Sequence, residues 1–364
     1  TDTEMIMHAL SYRLRGDSPP DLVKVMASLA RSFDGAYNMV FQDAMGRMVV
    51  ARDPLGIRPM SWAVQGKLLA AASESVALAN MGFKSKNIKS LEPGTMILVE
   101  DGKMRIERFA KKRTPARCFF EWVYFANVGS TIDEAGVYTG RANSGRVLAE
   151  MEDQGVQRDS VVVPVPDTAK AAADAYSFAM GIPCVEGLIR NRYVGRTFIN
   201  SGATRSRSVR SKYTPLRSVL NKKRVFLVED SIVRSTTLRS LAHQIRKRGG
   251  AKEIHVRVAC PPIISPCFYG IDMSTLGELF APPYFDKKYK GTPDQESLDK
   301  MAAELGVDSL RYLPAPQLGP CLGVDADSIC TGCVTGKYPT ECGRKLITQA
   351  RKNYRAGRSG RTYE

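Results

Sequence analysis

Residues 225 to 237 read VFLVEDSIVRSTT: four apolar residues, two adjacent carboxylates, then a Ser, an Arg and three further hydroxyls. The short β-branched run predicts a buried strand, and the positions after it, Leu238, Leu241 and Ile245, recur at helical spacing until Gly249-Gly250. If VFLV is a central parallel strand, Glu229 and Asp230 stand at its carboxyl end, where open α/β sheets bind ligands. Two such acids can accept hydrogen bonds from vicinal sugar hydroxyls or help hold Mg²⁺. Arg234 to Thr237 then lead into a helix N-terminus, whose free N–H groups and dipole favour phosphate. Together these elements describe a ribose 5-phosphate. At this point an ordinary strand and helix, capped by Ser231 or Ser235, fits equally well.

A second stretch shifts that balance. VVVPVPDTAKAAADAY (161–176) places Pro166, Asp167 and Thr168 at another strand end before another helix. Two helix N-termini at neighbouring strand ends would grip two phosphate groups of one ligand.

Around these motifs the chain divides by rhythm. Residues 1 to about 110 carry turn-separated strand patterns in GAYNMVFQD, GRMVVARDPLGIRPM, GKLLAAASES and PGTMILVEDGKMRIERF. Two helices are expected there, near Asp2–Leu10 and Pro20–Ser32. KKRTPAR (111–117) reads as a linker. Beyond it, short strands alternate with helices, which implies a parallel sheet and an α/β domain.

The net charge of +16, from 53 basic and 37 acidic residues, favours an anionic partner. Arg205 to Arg224 contains eight basic side chains and no acid, and reads as a mobile loop, an anion-closing lid or an RNA contact. No apolar run approaches the roughly 18 residues of a membrane span, and the expected location is cytoplasmic. Eight cysteines in such a chain read as thiols or metal ligands, not as a disulfide framework. Cys330-x-x-Cys333 alone is compatible with zinc, an iron–sulfur cluster or free thiols.

Taken in order, FEWVYFAN (120–127), VPVPDT (163–168), EGLIRNRYVGRTFI (186–199), VEDSIVRSTT (228–237), CFYGID (267–272) and TGKYPTE (335–341) resemble the type I phosphoribosyltransferases. More narrowly, they resemble the iron–sulfur branch of the glutamine phosphoribosylpyrophosphate (PRPP) amidotransferase family. The resemblance implies a parallel-sheet phosphoribosyltransferase domain (111–345) preceded by the C-terminal part of an N-terminal-nucleophile (αββα) glutaminase domain (1–110), with a basic tail (346–364). It implies formation of 5-phosphoribosylamine from PRPP and glutamine-derived ammonia, the first step of de novo purine synthesis. A non-catalytic PRPP- or RNA-binding regulator is the alternative.

The same resemblance assigns residues. Glu229 and Asp230 would contact the ribose hydroxyls and, with Thr168, Mg²⁺. Arg234, Ser235, Thr236 and Thr237 would form the 5-phosphate loop, Ser231 would contact the substrate, and Asp167 and Thr168 would lie at the pyrophosphate. Thr168, Glu229 and Ser235 replace the family's more usual Ser, Asp and Gly, and Ser235 adds a side chain to a tight loop. The basic segment falls where the family has a lid, which disfavours nucleic acid. Cys118, Cys267, Cys330 and Cys333 match the four ligand positions of a [4Fe–4S] cluster, with zinc or an empty site as alternatives. Asp2 matches a residue that holds the glutamine α-amino group. The family's catalytic Cys lies upstream of that position and no Cys precedes Cys118, so a missing upstream segment and ammonia-dependent turnover are expected. Purine nucleotide inhibitors and a homotetramer are implied by the family as well.

Overall fold

The computed structural model describes residues 2–16, 18–191, 193, 212–273, 275–286, 289–358 and 360. The predicted first helix runs past Leu10 to Arg13, and the second spans Leu22–Ser32 behind Asp21, whose carboxylate accepts N–H bonds from Val23 and Lys24. Leu22, Val25, Met26 and Leu29, at one-face helical spacing, bury against Val49, Ala51, Met96 and Leu98. Those residues belong to an antiparallel sheet ordered Asn38–Gln42, Met48–Arg52, Thr95–Glu100, Lys103–Arg108.

Strand alternation turns Val50 and Ile97 to the opposite face, where they meet Met60, Leu91 and Trp62 of a second antiparallel sheet, formed by Ser61–Gln65, Leu68–Ala72 and Lys89–Ser90. The far face of that sheet packs Ala63 against Leu78 of the helix Ser75–Asn80. The layering is therefore helix, sheet, sheet, helix.

The second part is built on a parallel sheet ordered Ser160–Pro164, Arg224–Glu229, Glu253–Val258, Ser309–Tyr312. The strand containing VFLV is internal, as its composition requires. Helices Val137–Glu150 and Lys170–Met180 cover one face through Leu148, Ala172, Ala173 and Tyr176 against Val162, Phe226 and Val228. Ser235–Gln244 and Gln295–Leu305 cover the other through Leu238, Leu241 and Met301. Among the described residues no helix is long and apolar enough to cross a membrane.

The two parts are joined by more than the connecting chain. After 111–116, which form no regular element, Ala116 and Cys118 donate backbone hydrogen bonds to Leu55 and Ile57 carbonyls at 2.8 and 2.9 Å. Fully buried Arg52 forks onto Asp133 at 2.7 and 3.0 Å, and Arg117 Nε reaches the same carboxylate at 2.5 Å. This paired geometry suits the guanidinium plane and leaves no buried charge alone.

Gly145 lets the helix Val137–Glu150 approach its neighbour so closely that an added Cβ would lie 2.0 Å from the Ala172 carbonyl oxygen. Gly145→Ala is therefore expected to lower the urea midpoint by the equivalent of about 3 kcal/mol with little change in m-value. Equilibrium denaturation followed by circular dichroism checks this.

Candidate active site

The strand Arg224–Glu229 delivers both acids to one place. The Glu229 carbonyl accepts a hydrogen bond from Ala259 N, and the preceding Val228 carbonyl accepts one from Val165 N, so neighbouring strands fix the backbone on either side. Asp230 is buried, and its carboxylate accepts bonds from Ser231 Oγ at 2.6 Å and from Thr168 Oγ1. Asp230 N–H turns back to Glu229 Oε1 at 3.1 Å. Burial, then the charge of its neighbour, pushes the Glu229 carboxyl well above its ordinary range. Burial raises Asp230 too, opposed by its bonds to Ser231 and Thr168 and by the Arg141 charge.

Thr168 thus brings the second predicted strand end onto the first. Beside it Asp167, joined to Pro166 by a cis peptide bond, pairs with Arg190 Nη1 at 2.5 Å. Asp167, Thr168, Arg190, Glu229, Asp230 and Ser231 all line one cavity of about 490 Å³. Its floor continues through Arg234, Thr236 and Thr237 at the start of the helix Ser235–Gln244. Neither Ser231 nor Ser235 caps that helix: the N-cap is Arg234, without a side-chain cap bond, and Ser231 Oγ is given to Asp230. The helix N-terminus, which has no side-chain cap, opens on the cavity. Ser235 opens the helix but is not among the residues lining the cavity.

The opposite wall is aromatic and comes from 120–125 and 270–273. Phe120, Tyr124 and Phe125 line it together with Gly270, Ile271, Asp272 and Met273. Behind this wall lies a second, smaller pocket lined by Cys118, Cys267, Cys330 and Cys333 with Ile57, Tyr269 and Tyr338. Phe120, Ile271 and Met273 border both. Cys118 and Cys330 are directly opposite in a short parallel pairing. Burial pushes all four thiols up, Cys330 to about 12, with the other sulfurs adding to the effect at Cys118, Cys330 and Cys333. Among the described residues, no group of three or more His, Cys, Asp or Glu side chains is arranged to hold a single metal ion.

Residues 1–80 match a family model described as a glutamine amidotransferase domain. The chain is 40% identical over 344 residues to an amidophosphoribosyltransferase of Methanothermobacter thermautotrophicus, covering 93% of this chain and 68% of that one. It is 38% identical to the Bacillus subtilis amidophosphoribosyltransferase, covering 94% and 68%. A solved structure of the B. subtilis glutamine PRPP amidotransferase, complexed with ADP and GMP, superposes with a TM-score of 0.78 at 37% identity, covering 94% of this chain and 71% of that one. The chain belongs to the amidophosphoribosyltransferase family. Members of that family are transferases that catalyse the first step of purine synthesis, which favours the catalytic reading over a binding-only regulator.

Of the predicted residues, Asp167, Thr168, Glu229, Asp230, Ser231, Arg234, Thr236 and Thr237 line one cavity and Ser235 does not. The side chain of Asp2, residues 194–199 of the NRYVGRTFI motif and residues 205–211 of the basic segment lie outside the described residues. Among the cavity residues that sequence reasoning did not assign to the site are Arg190, Lys212 and Tyr213, as well as the wall residues of 120–125 and 270–273. Lys212 had been grouped with the basic segment; here its backbone carbonyl accepts from Asn191 N at 2.8 Å, and burial lowers its ammonium pKa while Glu229 raises it. Tyr213 OH donates to Pro166 O at 3.1 Å, steadying the turn before Asp167. Basic charge beside the acid pair was the available signal.

Thr168→Val removes a hydroxyl that donates to a buried carboxylate. It is expected to destabilise the chain by about 1.5 to 3 kcal/mol, measured by chemical denaturation.

Proposed function

We propose that this chain is an amidophosphoribosyltransferase of the glycosyltransferase type, moving nitrogen from ammonia to the anomeric carbon of PRPP to give 5-phosphoribosylamine and pyrophosphate. The observation that carries this reading is the convergence of the acid pair, the Asp167–Thr168 turn and an uncapped helix N-terminus on one cavity. Glu229 and Asp230 take the ribose hydroxyls, and Ser231, Arg234, Thr236 and Thr237 take the 5-phosphate. The backbone of Ser235 contributes to that loop. Asp167 and Thr168 face the pyrophosphate.

The ammonia lone pair forms the new C–N bond as the bond from carbon to the pyrophosphate oxygen breaks, and the nitrogen then releases a proton. Charge develops on the sugar ring and on the leaving group, so fixed donors and an aromatic wall that excludes water do the work, without a protein nucleophile. Oxygen donors fit a hard cation: Thr168, Glu229 and Asp230 would hold Mg²⁺, which when bound offsets charge on the leaving pyrophosphate.

The four-cysteine pocket fits a soft-metal group, having only sulfur donors and apolar or aromatic walls. Cys118, Cys267, Cys330 and Cys333 are proposed to hold a [4Fe–4S] cluster of structural role. Purine nucleotides are proposed as feedback inhibitors, by similarity to the B. subtilis enzyme crystallised with ADP and GMP. A cytoplasmic homotetramer, with a glutaminase part at 1–110, a transferase domain at 111–345 and a basic tail at 346–364, completes the proposal.

Release of pyrophosphate from PRPP with ammonium chloride as nitrogen donor is the expected activity. Glu229→Gln and Asp230→Asn should each lower that rate by about 100-fold or more. Wild-type-like turnover in both variants, or no ammonium-supported turnover by the wild-type chain, would overturn this assignment.

Anaerobic purification should give a brown protein containing iron and sulfide in near-equal amounts, and Cys333→Ser should lose both. A colourless protein with stoichiometric zinc would refute the cluster.

A further inference from the structure

The aromatic wall of the cavity is held by two arginines, one from each part of the chain. Its core is a π-helical turn, Glu121–Phe125, a geometry that recurs at functional sites because it re-aims side chains out of register. Buried Arg141 grips this turn from the transferase side, donating from Nε to Trp122 O at 2.7 Å and from Nη2 to Ala126 O at 2.8 Å. Arg58 reaches it from the other side. Its guanidinium pairs with the buried carboxylate of Glu121 and lies 5.6 Å from the centre of the Phe125 ring. Arg58 Nη1 is also 3.9 Å from the point where a Cβ on Gly270 would stand. One side chain from RDPLGIRP therefore contacts segment 120–125 and lies near Gly270 of segment 270–273.

The backbone beneath Arg58 has little freedom. Arg52 Nε donates to Arg58 O at 2.9 Å while its other nitrogens bind Asp133, and Asn38 Nδ2 donates to Pro59 O at 2.7 Å. Asp53 accepts N–H bonds from Leu55 and Ile57 and fixes the turn leading to Arg58. Because the Glu121 carboxylate is buried, the pair also bears on stability, so a positioning role is read from KM in folded variants.

We propose that Arg58 is a positioning residue for the transferase reaction: from the amidotransferase part of the chain it sets the place of the aromatic wall against which PRPP and ammonia are confined. This rests on the reading that the cavity takes PRPP. Seating of the 52–59 loop and shape of the cavity are then one mechanical unit, and a shift in the first alters substrate fit in the second.

The test uses the full chain and ammonium-dependent pyrophosphate release. Wild-type turnover is measured first, and its absence would count against the PRPP reading itself. Given wild-type turnover, folded Arg58→Gln should raise KM for PRPP by about tenfold with kcat reduced less than about twofold, and Arg58→Lys should recover KM to within about threefold. An unchanged KM in folded Arg58→Gln, a loss confined to kcat, or no recovery by lysine would overturn the proposal. If Arg58→Gln fails to fold, Arg58→Lys and Phe125→Leu are combined in a double-mutant cycle on KM. Non-additive effects support the contact as a positioning device, and strictly additive ones refute it.

Discussion

Two carboxylates in succession at the end of a buried strand are the arrangement on which the rest of this molecule depends. Glu229 and Asp230 are pushed toward protonation by burial, and Glu229 further by the charge beside it. An apolar sheet tolerates such a pair only where donors and cations gather round it, and they do: Thr168 and Ser231 bond to Asp230, while Lys212 and Arg141 supply positive charge nearby. These compensations come from several strand ends and one helix. The parallel sheet is what brings those ends to one edge, so the fold and the electrostatics of the site impose the same topology.

Much of this was legible because it is local. The apolar run VFLV, the acids after it and the helical spacing of Leu238, Leu241 and Ile245 all follow from period and polarity over a dozen residues. The antiparallel strands of the N-terminal part were legible for the same reason, whereas their layering, with Val49 and Ala51 facing one way and Val50 the other, was implied only by the family resemblance. What could not be read is long-range. Arg257 sits in IHVRVAC as though it broke an apolar strand, yet it is fully buried and bonded from Nε and Nη2 to the Glu152 carboxylate at 2.5 and 2.7 Å. Only the tertiary structure supplies that partner.

The same limit applies to the loop hydroxyls. From sequence, Ser231 and Ser235 are interchangeable helix caps, because both precede the periodic residues. Which of them caps depends on where Asp230 points, and that is decided by burial between strands. With Ser231 taken up by the carboxylate, the helix N-terminus has no side-chain cap, and Ser235 is not among the residues that line the cavity.

The two pockets stand back to back, and this joins chemistry that the sequence presents as separate motifs. Cys118 precedes the wall segment 120–125, and Cys267 precedes 270–273, so each cysteine lies within a few residues of a side chain that also faces the PRPP-sized cavity. Phe120, Ile271 and Met273 are shared between them. A group binding all four sulfurs would fix the spacing of both wall segments, just as Arg58 fixes them from the amidotransferase side. In close-packed surroundings such walls do not yield gradually. A structural cluster without any electron-transfer duty would thereby still bear on catalysis, through the distance it sets between Phe120 and Met273 and not through its redox state.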